Sequence, residues 1–309
     1  SRNFANKVWN ASRFIMMNME KAEIPAEIDL NKLTAADRWI LSKVNTLAKD
    51  VTNNMDNFDL GIAVQKIYDF IWEEFCDWYI EMVKPRLWND ADETKAAALW
   101  TLKNVLINAL KMLHPYMPFI SEEIFCNLSD EESIMISAWP EYKEEWNFAS
   151  EEHAIETIKE AVRGIRNVRT SMNVPNSKKA TVYVVSENAQ IRDIFENGKV
   201  FFATLGFASE VLVQADKTGI AEDAVSTLIP EAAIYMPLAE LVDIAKEKER
   251  LKKEEERLTK ELARVNGMLS NERFVSKAPA AKIEEEKAKL EKYTQMMNQV
   301  KERLAQLGE

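Results

Sequence analysis

Basic and amide side chains near the start of the chain have the types and spacing to bind a nucleic acid. They follow one another at steps of four, four and three residues: Arg2, Asn6, Asn10 and Arg13. This spacing places them on one side of a helix, and no acidic residue precedes Glu20. Arginine offers phosphates a fork of donors and asparagine can pair with base edges, so this side is a candidate nucleic-acid contact. An ordinary solvated helix face is an equal alternative.

A second set of arginines lies in the middle of the chain at steps of three: Arg163, Arg166 and Arg169. On a helix this spacing keeps them within about a third of the circumference. Lys178 and Lys179 follow, and Glu156 and Glu160 offset part of the charge. The pattern predicts a contact with phosphates, and a set of ion pairs within the helix is the alternative.

A longer basic ladder lies near the end of the chain, where lysine and arginine alternate at steps of four and three from Lys246 and Arg250 onward. Its candidate nucleic-acid contacts are Lys253, Arg257, Lys260 and Arg264. A phosphate backbone can follow such a ladder, although the glutamates beside it also fit a purely solubilising role. Shortly after it come Arg273, Phe274 and Lys277, where an aromatic ring can stack on a base or plug the end of a hairpin.

The net charge of the whole chain argues against nucleic-acid binding, but the charge of one region does not. The 309-residue chain has a net charge of −11, yet residues 245–309 carry +3 and the remainder −14. Since nucleic acids bind local patches rather than the net charge of a protein, the composition does not exclude them.

The residues offer no catalytic or metal site. The two histidines, His114 and His153, are expected to pack at a helix end and to face solvent, respectively. Cys76 and Cys126 form neither a metal-binding pattern nor a disulfide framework, which fits a reducing cytoplasm. No glycine-rich phosphate loop, apolar run of about 18 residues or secretory signal is present, so we expect no bound cofactor and no membrane contact.

The elements that position these side chains suggest a mainly α protein with three domains. Residues 1–149 are predicted to form an antiparallel helical bundle, because helical apolar spacing is interrupted only by short connections. Its predicted helices start near Phe4, after a capping box at Thr34–Asp37, at Leu60 (ending at Val83 before Lys84-Pro85), at about Asp92 and after Pro118. Ser1 in place of Met, with helical spacing already present at Phe4, is expected of a chain that starts inside a larger protein.

Residues 150–237 are predicted to form a small α/β domain. A helix over about 151–170 precedes strands at 180–185, 210–214, 225–229 and 233–236, with one further helix over 188–203.

Residues 238–309 carry two heptad seams, the first starting at Leu241, joined by a segment too short to return parallel helices. The sequence therefore predicts an antiparallel coiled-coil hairpin. If the tip of the hairpin is centred near residue 274, the numbers of two facing residues add to about 548. This register places Leu258 beside Leu290 and Glu261 beside Lys289.

Four segments resemble one enzyme family: 2–14 (RNFANKVWNASRF), 71–79 (IWEEFCDWY), 113–123 (LHPYMPFISEE) and 271–279 (NERFVSKAP). Together they are similar to the C-terminal part of bacterial valyl-tRNA synthetases, and the resemblance covers the whole chain. The third segment is also similar to the isoleucine and leucine enzymes, which remain an alternative. The cysteine-rich zinc module common in isoleucine enzymes is absent, which favours valine.

The resemblance implies an anticodon-binding bundle and a coiled-coil arm that hold a valine-accepting tRNA, with the catalytic and editing domains in cis before Ser1. ATP and Mg²⁺ are then expected in that catalytic domain and not here, because the family's two ATP-binding signatures are missing from this chain. The expected state is a cytoplasmic monomer. A helical scaffold whose hairpin recruits a protein partner is the alternative from another functional class.

Overall fold

The computed structural model describes residues 2–20, 22–271, 276 and 278–306. It confirms a mainly α protein that begins with a helical bundle. The bundle helices are α1 (Arg2–Met19), α2 (Ala35–Asp56), α3 (Leu60–Asp69), α4 (Ile80–Trp88), α5 (Lys95–Leu113) and α6 (Pro118–Leu128), with short 3₁₀ turns at Leu30–Lys32, Ile134–Ile136 and Glu144–Trp146. Within the described residues, none of the helices has the length and apolar character needed to cross a membrane.

A fully buried carboxylate at the start of α2 ties three parts of the bundle together. Asp37 completes the predicted capping box by accepting the Thr34 amide hydrogen at 2.9 Å. It also accepts hydrogen bonds from the Tyr79 hydroxyl at 2.7 Å and from both Nη atoms of Arg86 at 2.8 and 2.9 Å. Arg86 donates further to Thr94, next to the start of α5. Burial and the Asp37 charge raise the pKa of Tyr79 well above its ordinary value, so the hydroxyl stays a donor.

The helix that starts at Leu60 continues to Trp88, so the prediction that Lys84-Pro85 ends it at Val83 is wrong. Pro85 lies in the last turn, where its missing N–H removes a single backbone hydrogen bond and the bonds of Arg86 hold the chain helical. The middle of this helix, Phe70–Tyr79, is wound as a π-helix. The next helix begins at Lys95 rather than near Asp92, because the Asp92 carboxylate accepts the Thr94 amide at 2.8 Å and stabilises a turn.

The segment after α6 runs back along α2. The Trp139 indole donates to Thr52 at 2.8 Å, and Asn45 exchanges two hydrogen bonds with the Lys143 backbone. The Phe148 amide then donates to the Ser42 hydroxyl at 3.0 Å. These polar contacts replace helical packing over this stretch and deliver the chain to the start of the next helix.

One long helix, α7 (Ala149–Ser171), packs against both the bundle and the small α/β part. Near its start Arg38 of α2 forms an ion pair with Glu151 at 2.9 Å. Further along, Gly164 approaches the sheet so closely that a Cβ atom there would lie 2.9 Å from the Thr227 side chain. Glycine is therefore the residue that permits this crossing.

The sheet contains β1 (Ala180–Val185), β2 (Ala208–Gln214), β3 (Val225–Ile229) and β4 (Ala232–Met236), in the order β2-β1-β4-β3. β1 and β2 are parallel, and the other two pairs are antiparallel. The single helix predicted for 188–203 is two helices, α8 (Ala189–Asn197) and α9 (Lys199–Leu205), broken at Gly198. A side chain at Gly198 would overlap Ile158 of α7, so the break allows both helices to pack there.

The C-terminal helices are α10 (Leu238–Leu241), α11 (Ile244–Leu269) and α12 (Ala280–Gln306). Leu241 was predicted to open the first heptad seam, but it belongs to the separate α10, and the Asp243 carboxylate caps α11 through the Lys246 amide. Seam residues of both long helices are buried, as expected for a helix pair: Leu251, Leu258, Val265, Met297, Val300 and Leu304.

Candidate nucleic-acid interface

The polar side of α1, which we call the α1 stripe, consists of Arg2, Asn6, Asn10 and Arg13. The opposite side of α1 is buried through Phe4, Val8 and Ile15, which turns all four stripe side chains outward into solvent. Among the described residues none of the four forms a side-chain hydrogen bond or an ion pair. Their donors and acceptors are therefore available to a ligand without breaking an existing contact.

Beside α1 lies a cleft of about 680 Å³ between the bundle and the α/β part, which we call the tryptophan cleft. The bundle contributes Trp72, Glu73, Asp77, Trp78 and Glu81, and the α/β side contributes Arg163, Arg166, Thr204, Leu205 and Phe207. Lys7 of α1 connects the cleft to the α1 stripe, because its ammonium lies 3.9 Å from the Trp72 ring centre and 2.6 Å from Asp77.

Two of the three predicted arginines meet in this cleft. The guanidinium carbons of Arg163 and Arg166 lie 5.2 and 5.3 Å from the Trp78 ring centre. Arg163 is exposed, whereas Arg166 is half-buried and donates to the Leu205 carbonyl at 2.8 Å. Burial lowers the pKa of Arg166 although Glu81 and Asp77 oppose the shift. The alternative of ion pairs within the helix does not describe this pair, because their contacts are an aromatic ring and a backbone carbonyl.

Arg169 has a different role. Only 3% of it is exposed, and its Nη2 donates to the carbonyls of Pro175 and Lys178, which fixes the loop before β1. Its guanidinium also lies 5.1 Å from the Phe207 ring. In this arrangement Arg169 stabilises the wall of the cleft rather than offering a charge to solvent, so the predicted phosphate contact at Arg169 requires a rearrangement that Arg163 does not.

The backbone of the cleft is unusual on both sides. Trp72, Asp77 and Trp78 lie within the π-helical Phe70–Tyr79, and π-helical turns are frequent at functional sites. Opposite them, Phe207 has φ of 55°, a left-handed conformation that costs a bulky residue about 1–2 kcal/mol. Both irregularities present aromatic rings to the same cleft.

A buried lysine supports the cleft from behind. Lys159 is 0% exposed and pairs with Glu74 at 2.5 Å and with Glu156 at 3.0 Å. Its ammonium lies 4.7 Å from the Trp39 ring and 5.4 Å from the Trp78 ring. Sequence reasoning missed Lys159, Trp72, Trp78 and Phe207. Trp72 and Trp78 stood inside the quoted 71–79 motif, but the π-helical winding that turns them toward the arginines has no periodic signal in the sequence.

The ladder on α11, which we call the hairpin stripe, is exposed along its whole length: Lys246, Arg250, Lys253, Arg257, Lys260 and Arg264. Its arginines are occupied, however, because each donates two hydrogen bonds to the glutamate three residues before it, at 2.6–3.0 Å. Lys253 likewise binds Glu249 at 2.6 Å. The described residues give Lys260 no such pair.

The exact register of the hairpin stays a prediction. Arg257 is close enough to Tyr293, and Arg264 to both Glu286 and Tyr293, for electrostatic interaction across the two helices. The numbers in these pairs add to 550 or to 557, which differ by one heptad, so these contacts fit the antiparallel pairing but do not fix its register. The individual layer of Leu258 and Leu290 stays a prediction.

One predicted contact of the hairpin is replaced. Glu261 was expected to pair with Lys289 across the hairpin, but it binds Arg264, while Lys289 binds Glu285 and Glu286 on its own helix. Partners three or four residues apart on one helix need no alignment of two helices, which favours the local pairs. The predicted tip contacts Arg273, Phe274 and Lys277 lie outside the described residues.

Comparisons with known proteins give a consistent result. A family model described as "Anticodon-binding domain of tRNA ligase" matches residues 37–184, and one described as "Valyl tRNA synthetase tRNA binding arm" matches residues 243–308. The first match includes α7 and most of α2 and β1, and the second includes both long helices of the hairpin.

Several bacterial relatives that match this chain are called valine–tRNA ligase. Those of Clostridium acetobutylicum, Clostridium tetani and Staphylococcus carnosus are 48%, 49% and 40% identical over 99% of this chain. The chain spans 35% of the length of each relative. A leucyl-tRNA synthetase from Agrobacterium radiobacter, solved with tRNA, aligns with 60% of this chain and 18% of its own, at 14% identity and a TM-score of 0.35.

Two family models along the chain and close relatives over its full length thus agree with the motifs. The chain belongs to the valyl-tRNA synthetase family and corresponds to the C-terminal part of its members.

Proposed function

We propose that this chain is the tRNA-binding part of a valine–tRNA ligase, the enzyme that attaches valine to its tRNA with ATP. It recognises and orients a valine-accepting tRNA, and it contributes no catalytic group. ATP and Mg²⁺ are held by the part that precedes it in the family. We further propose that the protein acts in the cytoplasm as a monomer.

The α1 stripe is the observation that carries this proposal. Four outward amide and guanidinium groups lie next to a cleft with tryptophan walls and an exposed Arg163. Single-stranded RNA loops expose base edges and faces that a paired helix hides, and such bases are bound by stacking and by hydrogen bonds to their edges. In this proposal Trp72 and Phe207 stack bases, and the α1 stripe binds base edges and phosphates.

The hairpin stripe provides a second, weaker contact. Its arginines can exchange a surface glutamate for a phosphate, because an exposed ion pair contributes only about 0–1 kcal/mol. Successive phosphates of the RNA backbone can then take the place of several of these glutamates at once. This contact orients the tRNA without reading its sequence.

The test measures binding of valine tRNA to this chain by fluorescence anisotropy at several salt concentrations. Arg2→Ala with Arg13→Ala should weaken binding and reduce the salt slope by roughly one to two units, as expected for two lost phosphate contacts. The matched control is Lys32→Ala with Lys217→Ala, which removes the same charge from exposed positions elsewhere. Equal behaviour of the two double variants would contradict the role of the α1 stripe.

A separate test addresses the cleft. Arg163→Ala should weaken binding of the isolated anticodon stem-loop while the unfolding temperature stays unchanged, because Arg163 is exposed. Arg169 is left intact because its loss would release the 172–178 loop. ATP–pyrophosphate exchange with valine should be absent for this chain alone. Absence of salt-dependent tRNA binding would instead favour a helical scaffold whose hairpin recruits a protein partner.

A further inference from the structure

One end of the helical bundle collects the turns between helices. The Tyr116 hydroxyl, after α5, donates to the Leu60 carbonyl at the start of α3 at 3.0 Å. The Ile134 amide donates to Glu122, one turn into α6, at 3.2 Å, and Trp139 reaches Thr52 near the end of α2. The end of α2, the starts of α3 and α6, and the first 3₁₀ turn after α6 therefore lie together.

Large apolar side chains are concentrated at this end, which we call the apolar end. Its members are exposed by about half to nine-tenths: Phe58 86%, Leu60 48%, Ile62 51%, Phe119 90%, Met135 77% and Ile136 73%. Scattered exposed apolar residues are ordinary on a soluble surface, but a group of this size at one end indicates an interaction site.

Phe58 is held in a strained conformation that keeps it outward. Its φ is 61°, and it follows α2 in a helix-ending motif in which the Phe58 and Asp59 amides donate to the carbonyls of Met55 and Asn54 at 3.0 and 2.8 Å. Glycine normally occupies this position because it adopts positive φ without strain. A phenylalanine here adopts a conformation that costs it strain while its ring stays exposed, which points to a function for that ring.

The start of α1 faces the same end. Phe4 lies 4.6 Å from the Tyr68 ring, Lys7 pairs with Asp77, and Phe14 lies under Lys84. Later residues of α1 contact later residues of the continuous helix from Leu60 to Trp88. α1 therefore runs parallel to α3 and α4. The first turn of α1 is consequently the part closest to Leu60 and Ile62.

We propose that the apolar end is the surface against which the preceding part of a valine–tRNA ligase packs. This chain corresponds to the C-terminal part of its relatives and spans 35% of their length, so in them a much longer segment leads into α1. That segment enters beside the apolar end and can cover it without a long linker. An RNA partner is disfavoured here, because phosphates gain little from an apolar surface. The inference does not depend on tRNA binding.

Thiol labelling, read out by mass spectrometry of the modified peptide, tests the proposal. Phe119→Cys and, separately, Leu228→Cys are introduced in a Cys126→Ser background, both into this chain and into a full-length valine–tRNA ligase that contains it. Leu228→Cys is the matched control, since Leu228 is 78% exposed on the small sheet. The remaining Cys76 is a poor competitor for the reagent, because burial raises the pKa of its thiol to about 12.

The thiol introduced by Phe119→Cys should react at least tenfold more slowly in the full-length enzyme than in this chain. The thiol introduced by Leu228→Cys should react equally in both proteins. Equal rates in the two proteins for the Phe119→Cys thiol would overturn the proposal.

Two further measurements keep the test sharp. If labelling of the Phe119→Cys variant of this chain slows as protein concentration rises, a second copy covers the surface and the proposal fails. Phe58→Gly should raise the unfolding temperature of this chain by relieving strain. Added to the full-length Phe119→Cys variant, it should speed labelling of the introduced thiol. A lower unfolding temperature in this chain would show that Phe58 serves the bundle itself.

Discussion

The bundle and the hairpin use charged residues in opposite ways. In the bundle and where α7 packs against it, Asp37 and Lys159 are fully buried, and each binds two or more partners drawn from different elements. On the hairpin, each stripe arginine is exposed and binds one partly exposed glutamate on its own helix. Buried charges cannot change partners without a large desolvation penalty, whereas surface charges can. The bundle therefore holds a fixed shape, and the hairpin keeps a set of exchangeable cations.

The largest expected effect comes from breaking the buried network. Asp37→Asn should lower the free energy of unfolding by roughly 3–5 kcal/mol, because Arg86, with only 14% of its side chain exposed, is left without its counter-charge. Urea unfolding followed by tryptophan fluorescence measures this loss. A loss below about 1 kcal/mol would mean that Asp37 contributes no more to stability than a hairpin glutamate, which would contradict the difference between the two regions.

Removing carboxylates from the hairpin should have a smaller effect on stability and should strengthen tRNA binding. Glu254→Gln with Glu261→Gln should change the free energy of unfolding by no more than about 1 kcal/mol, since these pairs lie at the surface, with half-exposed arginines and glutamates about a third exposed. The same double variant should bind tRNA several-fold more tightly, because Arg257 and Arg264 lose their competing partners.

The control for that experiment is Glu291→Gln with Glu302→Gln, which removes the same charge from exposed positions on the other hairpin helix. If both double variants tighten binding equally, net charge alone explains the gain and the hairpin stripe has no special role.

The smallest effect concerns pH. Hydrogen bonds and ion pairs from Lys289 and Lys282 lower the pKa of Glu285 to about 2, from an ordinary 4.5. Since the folded-state pKa is the lower one, the stabilising contribution is complete above the unfolded value and is lost as pH falls from about 4.5 toward 2. An NMR titration of the Glu285 carboxylate should show this shift at low salt and a return toward 4.5 at high salt. A value near 4.5 at low salt would contradict the ion pairs.

Helices and strands could be predicted from the sequence wherever the apolar residues followed a single helical or strand period. The spacing of residues within one helix was enough to predict the buried positions of Leu251, Leu258 and Val265. It was also enough to predict the capping box at Thr34. Pro85 misled the prediction because distant partners of Arg86 decide whether that turn stays helical. Gly198 broke one predicted helix into two because of contact with Ile158, which lies forty residues away in sequence.

The site was less predictable than the fold. Sequence spacing placed Arg163, Arg166 and Arg169 on one side of a helix, but it could not show that Arg169 faces the protein interior. The rings that meet the other two belong to a π-helical stretch and to a positive-φ phenylalanine, and both depend on the tertiary structure. The outward position of the α1 stripe was predictable because the buried side of that helix is clear from its apolar residues.

The helix α7 also limits how the family can vary. Residues at its start bind the bundle, and Gly164 meets the sheet at Thr227 further along. Adding one residue between these points would turn everything after it by about 100° and move it by about 1.5 Å, which would take Arg163 away from Trp78. Insertions and deletions are thus expected in the loops around α7 and excluded from its middle, where residue count sets both an angle and a distance.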